Sequence, residues 1–131
     1  MKERKSERIE CTEVPAPIGP YSQAVRAGDF LFISGQIPID PGTGRVSTAD
    51  IEGQTALVID NIEKILSSCG LELNDVVKAD VFLNNMENFP RMNDVYGSRF
   101  TGNVKPARCV VQVSRLPKNV LIELSCIALA R

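Results

Sequence analysis

The stretch "NVLIELSCIALA", Asn119 to Ala130, is apolar at nearly every position, yet Glu123 stands in its middle. Such a run reads as a strand covered on both sides, and an unpaired carboxylate inside it costs several kcal/mol (about 2–7) or takes up a proton. Side chains alternate along a strand, so Glu123 shares a face with Leu121, Ser125 and Ile127. The apolar run just before it is "ARCVVQV" (107–113), separated by the bend "SRLPKN". Two apolar strands with a short proline-containing connection are most simply an antiparallel hairpin. Symmetric closure pairs Val113 with Val120, sets Arg108 opposite Ser125, and makes Arg108 and Glu123 diagonal neighbours on one face. A slip of one residue separates them.

Two readings of that pair follow. The plain one is a salt bridge on a solvent-facing sheet, worth about 0–1 kcal/mol. The other is an arginine set among apolar neighbours to receive a ligand carboxylate, because its planar fork donates two parallel hydrogen bonds.

Upstream, "RIECTEV" (8–14), "YSQAVRAG" and "DFLFISG" (29–35) read as strands, and "DPGTGRV" as a surface turn. That turn lacks the glycine pattern and lysine of a phosphate loop. A helix follows, with Ser47 and Asp50 fitting a capping box. Ile51, Val58, Ile62, Ile65 and Cys69 form its core stripe, up to Gly70 as the stop. "DVVKADVFL" (75–83) is a strand, and Phe89 to Phe100 a second helix with Pro90 in its first turn and a stripe of Phe89, Met92, Tyr96 and Phe100. Asn93 lies near that stripe. Strands, helix, strand, helix and strand pair argue for an α+β domain, residues 1–131, with helices covering one face of a mixed sheet.

Composition narrows the chemistry. The 131 residues suit one domain, and a net charge of -1 gives no reason to expect nucleic acid or an anionic membrane. No apolar run is long enough to span a bilayer. The charged start "MKERKSER" reads as a solvated tail, residues 1–7 flexible, rather than a signal peptide. Cys11, Cys69, Cys109 and Cys126 are too scattered for a metal knuckle or disulfide framework, which suits reduced thiols in the cytoplasm. Histidine is absent, which removes Ser-His and Cys-His catalysis and any histidine-built metal site.

A second group of residues is "GPYSQAV" (19–25) with "SGQIPID" (34–40), where Ser34-Gly35 ends a strand and backbone can approach a ligand closely. Together, "GPYSQAV", "LFISGQIP", the Asn93 helix, "KPARCVVQVSRLPKN" and "IELSCIA" resemble, in order and spacing, the reactive-intermediate imine deaminases, the RidA or YjgF family. The likeness runs from about Ile9 to Ala130.

That resemblance implies a chorismate-mutase-like fold assembled as a homotrimer around a central β-barrel, with ligand clefts between subunits. It implies hydrolysis of 2-imino acids such as 2-iminobutanoate and 2-iminopropanoate to 2-keto acids and ammonia, without metal or organic cofactor. By position, Arg108 then holds the substrate carboxylate and Glu123 positions the attacking water. Tyr21, Ser34, Gly35 and Asn93 match further site positions, Cys109 contributes backbone groups, and Phe89 closes the cleft from the neighbouring subunit. Many bacterial relatives carry a cysteine where this chain has Val110. Two other functions stay open: a non-catalytic, regulatory trimer that binds small carboxylates, and an endoribonuclease or translation inhibitor. The second is disfavoured by the missing histidine and basic stripe.

Overall fold

The computed structural model describes residues 5–130. Six strands form one mixed sheet: β1 (Ser6–Ile9), β2 (Ala24–Ala27), β3 (Phe30–Gln36), β4 (Val76–Leu83), β5 (Ala107–Gln112) and β6 (Ile122–Leu129), in the spatial order β1-β2-β3-β6-β4-β5. Two helices, α1 (Ile51–Ser68) and α2 (Phe89–Arg99), complete the architecture.

The apolar stretch that holds Glu123 becomes β6, a central strand paired antiparallel with β3 on one side and β4 on the other. Its burial alternates strictly. Ile122, Leu124, Cys126 and Ala128 are buried against the helices, while Glu123, Ser125, Ile127 and Leu129 on the opposite face are half-buried. The face expected for Glu123 is therefore observed.

The hairpin is not. β4 lies between β5 and β6, and it pairs with β5 in parallel, with Ala79 beside Arg108. Parallel neighbours need a crossover of a dozen or more residues, and α2 supplies it. The bend after β5 then carries the chain over the end of β4. There the Val113 N–H donates to the Leu83 carbonyl and the Asn84 N–H to that of Leu121. Skipping one strand means moving about 10 Å, two strand spacings, which residues 113–121 span easily. Within the bend Lys118 and Asn119 both adopt left-handed backbone, with φ of 56° and 57°.

α1 is capped by Asp50, whose carboxylate accepts from the Gly53 N–H at 3.0 Å; Ser47 instead accepts from the Ala49 N–H. The capping box thus resolves into two separate turns. Ile51, Val58, Ile62 and Ile65 are buried as the periodicity requires, and Gly70, at φ 72°, ends the helix where only glycine is unstrained. Buried Gln54 ties α1 to the sheet, accepting from the Leu121 N–H at 2.9 Å while donating to the Ser47 and Ala49 carbonyls. α2 packs Met92, Tyr96 and Phe100 into the same core.

The N-terminal expectations need revision. Residues 1–4 of the supposed tail lie outside the described residues, but Ser6 and Glu7 pair with Ala27 and Arg26 in an edge strand. The strand read at 8–14 ends at Ile9, because buried Gln23 diverts the chain. Gln23 accepts from the Cys11 N–H at 2.7 Å and donates to the Cys11 and Pro15 carbonyls.

Candidate functional site

The eight candidate residues fall into three groups. The first is built on the helix side of β5. Arg108, an exposed residue on this edge strand, reaches over α2, where its Nη1 donates to Asn93 Oδ1 at 2.6 Å. The guanidinium carbon lies 4.7 Å from the Tyr96 ring centroid and 5.6 Å from that of Phe89. Phe89, Asn93 and Tyr96 follow one another at helical spacing, so about two turns of α2 make the whole cradle. Its parts contribute about 1.5–3 kcal/mol for a charge-assisted hydrogen bond and about 0.5–2 kcal/mol for each cation–π contact. Among the described residues no carboxylate pairs with Arg108. Its charge and remaining N–H groups stay available.

Tyr96, which periodicity assigns to the core alone, joins the candidates through its contact with Arg108. It is 7% exposed, and its hydroxyl has no hydrogen-bond partner among the described residues. Burial pushes the phenol above its usual pKa, an effect that the nearby Arg108 charge opposes. The available signal was its position three residues after Asn93.

The second group lies on the opposite face of the sheet. Glu123 pairs with Phe82 across β6 and β4 and leans over Gly35 of β3. Desolvation pushes its carboxyl above the ordinary carboxylate range. Cys109, next to Arg108 in sequence, points to this face beside Asp80, itself paired with Ser125. Arg108 and Glu123 are thus not diagonal neighbours. Strand β4 lies between their strands and the sheet lies between their side chains, so one copy of the chain does not bring them into one site.

The third group is the 19–25 loop. Ser34 fastens it to β3, its hydroxyl donating to the Ser22 carbonyl at 2.6 Å and its N–H to the Gln23 carbonyl at 2.9 Å. Tyr21 is 55% exposed and lines a hollow of about 210 Å³ with Arg8, Glu10 and Ser22. Among the described residues, no cluster of three or more Cys, Asp or Glu side chains could hold a metal ion, and no helix is long and apolar enough to cross a membrane.

A single mixed sheet under two helices, with an aromatic-cradled arginine at its edge and a carboxylate on its open face, defines a small α+β protein of the endoribonuclease L-PSP type. The family model of that description matches residues 11–130. A RutC family protein of Pyrococcus horikoshii is 56% identical over 93% of this chain and 96% of its own length. The 2-iminobutanoate/2-iminopropanoate deaminase of Escherichia coli is 41% identical over 96% of this chain and 99% of its own. The crystal structure of the Escherichia coli YjgF gene product superposes with a TM-score of 0.89 at 42% identity, covering 95% of this chain and 99% of that one. The chain belongs to the RidA/YjgF family.

Proposed function

We propose that this protein hydrolyses reactive 2-imino acids, among them 2-iminobutanoate and 2-iminopropanoate, to 2-keto acids and ammonia. The observation that carries the proposal is the state of Arg108: a fixed guanidinium, oriented by Asn93 and two aromatic rings, with no described carboxylate to neutralise it. Such a fork suits a small carboxylate. The full-length likeness to a named imine deaminase supplies the chemistry beside that carboxylate.

In this mechanism Arg108 binds the substrate carboxylate and fixes its orientation, converting a loose encounter into an attack geometry. Glu123 orients a water and accepts its proton as oxygen adds to C2 of the protonated imine. The resulting carbinolamine takes that proton on nitrogen; as the C–N bond breaks, the C2 hydroxyl gives its proton to Glu123 and then to the departing ammonia, leaving a 2-keto acid and ammonium. The Tyr21 hydroxyl, Ser34, and backbone groups at Gly35 and Cys109 polarise the bound substrate, and Phe89 closes the cleft.

Arg108 and Glu123 belong to opposite faces of one sheet, so the site needs two copies of the chain. A homotrimer packed through its open sheet faces meets that need, placing Arg108 of one copy toward Glu123 of the next. The open face supports this assembly: Phe30 and Phe32 are 42% and 44% exposed on it, beside half-buried Ile127 and Leu129. The four cysteines are all free thiols, in keeping with a cytoplasmic protein.

The test couples a threonine dehydratase, which generates 2-iminobutanoate, to semicarbazide as a competing trap. Wild-type protein is expected to suppress trapping, and Arg108→Ala to lose that effect while keeping its circular dichroism and melting transition. Trapping undiminished by wild-type protein overturns the enzyme reading and leaves a carboxylate-binding module, detected as calorimetric binding of a keto acid.

A further inference from the structure

Nothing in the bonding pattern explains why the Glu123 carboxylate lies where it does. No hydrogen bond or ion pair with a described residue holds it, and desolvation alone moves its pKa. What it touches is a glycine. A β-carbon built on Gly35 would stand 2.2 Å from Glu123 Oε2, 2.9 Å from Cδ and 3.2 Å from Cγ, and these are its three nearest atoms. All lie well inside the roughly 3.5–4.0 Å at which non-bonded carbon atoms settle.

Backbone conformation does not demand glycine at this position. The glycines with positive φ are Gly19, Gly28, Gly44 and Gly70, and Gly35 is not among them. The demand is for space. The β3–β6 register shifts between Ile33 and Gln36, so that Ser34 and Gly35 together oppose Ser125. Such a bulge twists the strand locally and re-aims what lies beside it. Ser34, bonded to the Ser22 and Gln23 carbonyls, anchors the bulge.

We propose that Gly35 is the positioning residue for Glu123: its missing side chain leaves the floor on which the carboxylate rests, and this shape, rather than any bond, fixes where the attacking water stands. The inference deepens the role given to Glu123 above and rests on it. It also separates two functions of Gly35, since an alanine keeps every backbone donor and acceptor and removes only the space. The struck atoms end a flexible side chain, so Gly35→Ala turns Glu123 to another rotamer while leaving the sheet in place.

The experiment compares wild type, Gly35→Ala, Glu123→Ala and the double variant in the full chain. Gly35→Ala is expected to fold and to lose kcat by about a hundredfold, the lower range for a general base, with KM little changed. The double variant is expected to be no slower than Glu123→Ala, because a carboxylate already removed cannot be displaced. Wild-type kcat in Gly35→Ala overturns the proposal. So does a double variant slowed by the full Gly35→Ala factor, which would mean that the methyl obstructs substrate directly.

A readout independent of turnover is the Glu123 carboxyl titration followed by carbon NMR. Its raised pKa is expected to fall toward the ordinary value in Gly35→Ala as the carboxylate swings into solvent, and an unchanged titration overturns the seating. If Glu123→Ala keeps wild-type kcat, the water-positioning role fails, and with it the catalytic half of this proposal. Should Gly35→Ala fail to fold, the double variant is expected to fold, since the struck atoms are gone; a double variant that also unfolds contradicts the inference.

Discussion

At the scale of single residues, the glutamate that looked misplaced in an apolar strand sits at the boundary between a dry sheet and an open face. Half-burial without a partner among the described residues disfavours its charged form, which raises its pKa. The sign of the stability effect follows. A folded-state pKa above the unfolded one gives a contribution present below the unfolded value and lost as pH rises through the folded value. Glu123→Gln is therefore expected to match or exceed wild-type stability at pH 7 in a thermal melt, while deaminase activity falls. Wild-type kcat is expected to decline as acid protonates this carboxylate, at a pH above the roughly 4.3 of a free glutamate; a Gln variant that melts earlier contradicts the desolvation account. Glu123 and Arg108 were legible in the sequence as charged groups within apolar strands, while the other candidates came from the resemblance to the imine deaminases. Their grouping was not. The Arg108 cradle depends on α2 docking beside β5, and the Gly35–Glu123 contact on a bulge that no local pattern announces.

At the scale of elements, periodicity located the helices and the later strands because each buries one clean stripe or one alternating face. Strand order escaped it. A parallel pair and an antiparallel hairpin present the same apolar run at β5, and the short bend favours the wrong neighbour because β4 lies between β5 and β6 in space but not along the chain. The early strand failed for another reason: Gln23, an ordinary polar residue in sequence, takes over the backbone groups at Cys11 that a longer β1 would need. The cap of α1 moved from Ser47 to Asp50, a shift of the kind that competing Ser and Asp caps allow. Asp50→Ala is expected to destabilise the protein by about 0.5–2 kcal/mol in denaturant unfolding. Its ion pair with Arg91 is exposed and adds little, so Arg91→Ala, which removes that pair together with the one to Glu52, is expected to cost less. Equal losses in the two variants would contradict the capping assignment.

At the scale of the whole molecule, the sheet has one face closed by helices and the other left open with phenylalanines on it, and the two proposed catalytic groups are divided between those faces. A site that uses both cannot be completed by one chain. The central claim, an imine deaminase site shared between copies, is tested most directly by complementation. Arg108→Ala and Glu123→Gln, each inactive alone, are co-expressed with different tags, purified as mixed assemblies, and assayed for 2-iminobutanoate hydrolysis. The account predicts recovered activity, because some interfaces then unite an intact Arg108 with an intact Glu123. Mixed assemblies as inactive as either variant alone would contradict it.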